Sequence, residues 1–161
     1  MSSPTVYLYA DGAASGNPGP GGFGTLLRSG KHEKEMSGGF RRTTNNRMEL
    51  LAVITGLEAL TTKPCHVTVV SDSRYVVDAF EKNWIGGWQK RQWRNVKNPD
   101  LWKRLIAVVA NHKVDWKWIK GHAGHAENER CDQLAVQARL KGGLPPDTFF
   151  EAQEKEGLFD K

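Results

Sequence analysis

Apolar residues recur along the chain with two periods, and each period places an element. Residues 5–11, 22–29 and 33–40 are short runs of bulky or alternating residues, separated by glycine-rich or charged turns. They read as three strands in an antiparallel meander. In NNRMELLAVITGLEAL the apolar positions Leu50, Ile54 and Leu57, with Leu51, Ala52 and Ala59, fall near helical spacing. A helix is predicted over 46–60, ended by Pro64. HVTVVSD, residues 66–72, is rich in β-branched residues and reads as a buried strand. SRYVVDAFEKN, after Asp72, predicts a second helix, and LWKRLIAVVANH, 101–112, a third. VDWKWIKG alternates as a strand does. ENERCDQLAVQARLKG, 127–142, predicts a final helix with Gly142 and Gly143 at its stop.

The order is three strands, helix, strand, helices, strand, helix. It implies an α/β fold: a mixed five-stranded sheet flanked by helices, with the fourth strand parallel to the first and beside it. A length of 161 residues suits one domain, expected over 1–143. The remainder, 144–161, is Pro-rich and then acidic, and is expected to be a peripheral or flexible tail. No apolar run approaches the ~18–20 residues of a membrane span, and the N-terminus lacks a signal-peptide pattern. Two unpatterned cysteines, Cys65 and Cys131, read as reduced thiols, which points to the cytoplasm. A monomer is expected.

Charge changes the picture because it is unevenly spread. The formal net charge is +5, yet Lys82 to Arg104 alone holds seven basic residues against one acid, Asp100. The rest of the chain is close to neutral. Four of the six tryptophans, Trp84, Trp88, Trp93 and Trp102, lie in that segment. Basic residues interleaved with aromatics suit a nucleic-acid backbone. A solvated charged face over an aromatic core is the plainer alternative.

Carboxylates then arrive at similar places. Asp11 ends the first strand, before thirteen residues that hold six glycines and two prolines. Asp72 ends the fourth strand, a topological neighbour of the first, and ligands of open α/β sheets gather at such strand ends. Glu49 stands in the first turn of the first helix and Asp132 in the last helix. Each has an ordinary explanation. Asn46-x-x-Glu49 has capping-box spacing, Asp72 could cap the helix after it, and Asp132 could be one more surface acid. Four acids facing one end of a sheet repel, and they stay ionised only beside a cation. Oxygen donors alone suit Mg²⁺ or Mn²⁺. The glycines after Asp11 are read as room for the backbone of a bulky ligand.

GHAGHAENERCD, 121–132, is a rival site. Its two histidines, cysteine and acid fit no zinc spacing. Cys131 is predicted in mid-helix, without the helix N-terminus that activates a thiol. A Gly-flanked histidine in a loop suits proton traffic better.

Together DGAASGNPGPGGFG, TTNNRMEL, SDSRYV, NWIGGWQKRQW and KGHAGHAENERCDQLA resemble bacterial type 1 ribonuclease H, in family order from Asp11 to about Ala138. The resemblance implies the ribonuclease H-like fold and hydrolysis of the RNA strand of RNA–DNA hybrids, with two metal ions and little base specificity. The products would carry 5′-phosphate and 3′-hydroxyl ends. It puts the metal-binding carboxylates on Asp11, Glu49, Asp72 and Asp132, and the loop histidine that assists turnover on His122, not His125. Asn17, Asn45 and Asn46 match asparagines along the hybrid's minor groove. Arg42 and Thr44 match a pocket for a phosphate of the DNA strand, completed by Asn98. The stretch from Trp84 to Lys97 matches a basic protrusion, with Trp84, Trp88, Lys90, Arg91, Trp93, Arg94 and Lys97 as its contacts.

The sequence departs from the family at three points. Only Arg94 and Asn95 separate Trp93 from Val96, so the handle is short and hybrid affinity is the property it touches. Ala14 replaces a common cysteine beside the groove, and Arg74 a common glutamine after the third carboxylate. No separate N-terminal hybrid-binding module is expected. Another nuclease of the same fold would use the same carboxylates, and a non-catalytic binding module is the other alternative. TTNNRMEL and the Trp-rich handle favour the first reading over the former, and the four acids over the latter.

Overall fold

The computed structural model describes residues 3–159. Five strands, β1 (Thr5–Ala14), β2 (Gly19–Ser29), β3 (His32–Thr43), β4 (His66–Ser71) and β5 (Lys113–Trp118), form one sheet in the order β3-β2-β1-β4-β5. β1 is antiparallel to β2 and parallel to β4, which pairs in parallel with β5. The mixed five-stranded sheet expected from the element order is therefore what the chain forms. The helices are α1 (Asn45–Glu58), α2 (Arg74–Glu81), α3 (Trp84–Lys90), α4 (Pro99–Val109), α5 (Ala126–Arg139) and α6 (Thr148–Phe159).

The core explains the layering. α1 is apolar nearly all round, and Met48, Leu50, Ile54 and Leu57 are completely buried with Leu8, Val67 and Val69 of the sheet. Each such side chain contributes about 1.5–3 kcal/mol by leaving water. Thr25 is also completely buried, and its hydroxyl donates to the Ala52 carbonyl at 2.5 Å. On the other face α5 lies against β2. A Cβ on Gly24 would stand 2.3 Å from the Cys131 carbonyl oxygen. Gly22 and Gly24 thus serve the packing of α5, where room for a ligand's backbone was expected.

Two elements differ from the sequence reading. The second predicted helix forms as α2 and ends at Glu81, but a helix that was not expected follows it: Asn83, with φ 51°, redirects the chain into α3. The segment expected as a peripheral or flexible tail carries α6; its last residues, 160–161, lie outside the described residues. Asp147, just before α6, anchors it to Arg47, 100 residues earlier in the chain. Its carboxylate accepts from Arg47 Nε at 2.7 Å, from Arg47 Nη2 at 3.0 Å and from Thr43 Oγ1 at 2.7 Å. Arg47 also forks onto Asp100 at the start of α4, at 2.7 and 2.9 Å. Both Arg47 and Asp147 are buried, so each needs the other: an unpartnered charge there costs several kcal/mol.

Candidate active site

β1 and β4 pair in parallel as far as Ala10 and Ser71, so Asp11 and Asp72 follow at the same end of adjacent central strands. α1 delivers Glu49 to that end. Its N-cap is Thr44, whose hydroxyl accepts from the Arg47 amide at 3.2 Å, so Glu49 has no capping duty. It turns to β1 and accepts from the Gly12 amide at 3.1 Å, while Asp11 Oδ1 accepts from the same amide at 2.9 Å. Gly12 permits this approach, since a Cβ there would lie 2.5 Å from the Glu49 amide nitrogen. Asp72 is no cap either: Ser73 caps α2, accepting from the Val76 amide.

One carboxylate oxygen from each of Asp11, Glu49 and Asp72 lies within 4.8 Å of the others. Burial, then Asp72, pushes the Asp11 carboxyl up to about 7. Glu49 is pushed well above its usual range by burial and by Asp11, and Asp72 is raised chiefly by burial. When Glu49 is ionised no donor reaches its buried Oε2. An all-oxygen donor set, mutually repelling and one oxygen short of a partner, fits a hard divalent cation. Asp132, on α5, lies outside this three-residue cluster, yet its charge raises both Asp11 and Asp72.

His122 sits in the turn before α5 with φ 55°, close enough for its charge to lower Asp72. His125 is the N-cap residue of α5 and makes no side-chain cap bond. Cys131 is completely buried and unpaired, and burial pushes its thiol up to about 12, which leaves no nucleophile there.

Trp118, which the sequence reading did not single out, supports Asp72. Trp118 donates its indole N–H to the Asp72 carbonyl at 2.9 Å, and Arg74 stacks on the Trp118 ring at 3.9 Å. Gly121 packs so closely that a Cβ would stand 2.7 Å from Asp72 Oδ2. The alternation in VDWKWIKG put Trp118 on a strand, which was the available signal; the pairing of β5 with β4 brings it to Asp72.

Asn17 Oδ1 accepts from the Asn45 amide and Asn45 Oδ1 from the Ala14 amide, so their Nδ2 donors remain. Asn17, Thr44, Asn46, Lys97 and Asn98 line one cleft of about 590 Å³. Phe150 and Gln153 of α6 line it too, which the sequence reading missed. Arg42, expected in one pocket with Thr44 and Asn98, instead forks onto Glu154 of α6 at 2.8 and 2.9 Å. In the handle, Trp84, Trp88 and Trp93 run as a ladder of rings 6.5 and 6.1 Å apart. Trp88 meets the fully buried Trp102 at 4.9 Å, so these rings also root the handle in the core. Left-handed Gln92, Trp93, Asn95 and Asn98 close its short turn. Lys90, Arg91, Arg94 and Lys97 are exposed, and none is in an ion pair among the described residues.

Comparison with known proteins bears on all of this. The RNase H family model matches residues 3–139. A ribonuclease H of Rippkaea orientalis is 55% identical over 151 residues, covering 91% of this chain and 92% of the relative. LC9-RNase H1, a type 1 RNase H with the type 2 active-site motif, superposes with a TM-score of 0.77 at 33% identity, over 86% of this chain and 74% of its own. LC11-RNase H1, solved in complex with an RNA/DNA hybrid, gives a TM-score of 0.63 at 25% identity, over 83% and 95%. A family model matched over most of the chain, a relative identical at more than half its positions and a shared fold lead to one conclusion: the chain belongs to the RNase H family.

Proposed function

We propose that Asp11, Glu49, Asp72 and Asp132 hold two divalent ions, Mg²⁺ or Mn²⁺, with which the chain cuts its substrate. As a member of its family the chain is a hydrolase, a nuclease that cleaves the RNA strand of RNA–DNA hybrids. The observation that carries the site is the convergence of three carboxylates within 4.8 Å. Ions bound there would lower the pKa of the attacking water and stabilise the leaving 3′ oxygen. Every other task falls to the chain. Gly12 fixes Asp11 and Glu49, and Trp118 braces Asp72. Asn17, Asn45 and Asn46 offer amides to the 2′-hydroxyls that distinguish the RNA strand. Thr44, Asn98 and Arg42 receive a phosphate of the DNA strand, and Arg74 contacts the groove beside Asp72. Trp84, Trp88, Trp93 and the basic residues of the handle position the duplex. Such contacts read shape more than base sequence. Residues 1–143 form the catalytic unit, and the segment after it braces it through Asp147 and α6. Buried free thiols suit the cytoplasm, and a monomer carries every assigned residue.

Hybrid cleavage assayed with excess chelator tests the reading. We expect no RNA cleavage in chelator, recovery with Mg²⁺ or Mn²⁺, and none of single-stranded RNA or duplex DNA at comparable rates. Full activity in chelator ends the assignment.

His122 gives and takes the proton at the site, through a loop flanked by Gly121 and Gly124. His122→Ala should lower kcat by about 10²-fold, as loss of a positioned general acid or base does, with KM little changed. His125→Ala should be milder. The opposite ranking in steady-state kinetics would move the role to His125.

A further inference from the structure

The end of β3 faces an acidic helix residue by residue. Arg41 pairs with Glu151 at 2.8 Å, Arg42 with Glu154 and Thr43 with Asp147. Arg41 and Arg42 hold exposed ion pairs, and exposed pairs open easily. The Arg42 pair is bidentate, Nε to Oε1 and Nη2 to Oε2. A phosphate would use that same guanidinium fork. The adjoining cleft, between Thr44, Asn98 and Gln153, is lined by amides and Lys97, with no carboxylate among its lining residues. Glu154 thus puts a negative charge on the one arginine of this wall assigned to a phosphate.

We propose that Glu154 is a positioning residue for hybrid binding, which holds the Arg42 guanidinium on α6 and makes a backbone phosphate of the substrate compete for it. This rests on the assignment of Arg42 as a DNA-strand contact. α6 then sets hybrid affinity: substrate must displace or share its carboxylate before Arg42 is engaged. A pair that only pinned α6 would have no such effect, and its loss would leave binding unchanged or weaker.

Glu154→Gln keeps the side chain's size and removes its charge. Binding of a labelled RNA–DNA hybrid, titrated in chelator at several salt concentrations, reads the effect. At the separation of neighbouring side chains, one charge on a partly screened phosphate changes affinity about three- to tenfold. We expect E154Q to bind the hybrid tighter by about that factor. The slope of log K against log salt should steepen by about 0.7–0.9, one counterion's worth. With metal present KM should fall in proportion and kcat stay within about twofold. Arg42→Ala added to E154Q should abolish the gain, and Glu156→Gln, an exposed charge on the same helix, should give none. If R42A weakens binding while E154Q leaves it unchanged, or if E156Q tightens it as much, the proposal is overturned and the Arg42 assignment stands. If R42A changes binding in neither background, the Arg42 assignment falls and the proposal with it.

Discussion

Asp11→Asn should abolish hybrid cleavage and, in the absence of metal, stabilise the fold. Both effects come from one oxygen-rich site. Divalent ions contribute several kcal/mol to charge stabilisation in phosphoryl transfer, and ~4 kcal/mol corresponds to about 10³-fold in rate. Asn keeps the shape of the side chain but loses its charge, so kcat should fall by about 10³-fold or more. Hybrid binding, which rests on the handle and the amide-lined cleft, should persist. A D11N protein that cuts at near wild-type rate would refute the site.

The stability effect has a definite sign. Asp11 holds its proton up to about pH 7 in the metal-free fold, against a value of 3.8 in a free carboxyl. The folded state therefore binds the proton more tightly than the unfolded chain. Its contribution is fully present below about pH 4 and is lost as pH rises through about 7. A displacement of that size corresponds to ~4 kcal/mol. Part of it is repulsion shared with Asp72 and Asp132, which a neutral Asn relieves as well. We expect D11N to be more stable than wild type by about 2 kcal/mol at pH 8 in chelator, a rise in Tm of about 4–8 °C. Near pH 4 the two proteins should melt together. Mg²⁺ should raise the wild-type Tm and narrow the gap, because ions bind the fold and not the unfolded chain. A D11N protein that melts below wild type at pH 8 in chelator would show that Asp11 is not crowded.

Much of this site was legible before any coordinates. Asp11 and Asp72 could be placed together because strand order alone makes their strands neighbours, and a strand end is set by where β-prone residues stop. Glu49 was ambiguous in sequence, since Asn46-x-x-Glu49 fits a capping box as well as a ligand. Thr44 resolves it by starting the helix earlier than predicted, which frees Glu49 to reach the Gly12 amide. The glycine run misled in the opposite way. Permissive backbone and close packing call for the same residue, and only the position of α5 shows that Gly24 serves the second.

The C-terminal helix was invisible for a different reason. LPPDTFFEAQEKEG reads as a broken, acidic tail when judged by its neighbours in sequence. Its stability comes from Arg47, a hundred residues earlier, and from Arg41 and Arg42 on an edge strand. Long-range pairing of this kind leaves no local periodicity. The handle shows the reverse. Its charge and its tryptophans were plain, but not that Trp88 and Trp93 pack against the core while Lys90, Arg91, Arg94 and Lys97 stay in solvent.

That division within the handle predicts the second large effect. Lys82 pairs with Asp78 at 3.5 Å, Arg104 forks onto Glu58, and Lys103 lies over the Trp93 ring. Lys90, Arg91, Arg94 and Lys97 are left for phosphates. Each neutralised phosphate releases about 0.7–0.9 counterions, so four contacts contribute about −3 to the slope of log K against log salt. Such a term vanishes near about 1 M salt and amounts to about 10³–10⁴-fold in affinity at about 50 mM. Replacing all four by alanine should therefore flatten the slope by about 3 and weaken hybrid binding by up to that factor at low salt. The Trp84–Trp88–Trp93 ladder keeps the handle folded, so the Tm should hold. KM should rise far more than kcat falls, because these side chains meet the duplex away from the scissile bond and bind ground and transition states alike. Salt titrations of wild type and the quadruple variant, made side by side, decide the matter. Equal slopes would reduce the handle to a solvated face, with its tryptophans serving the core alone.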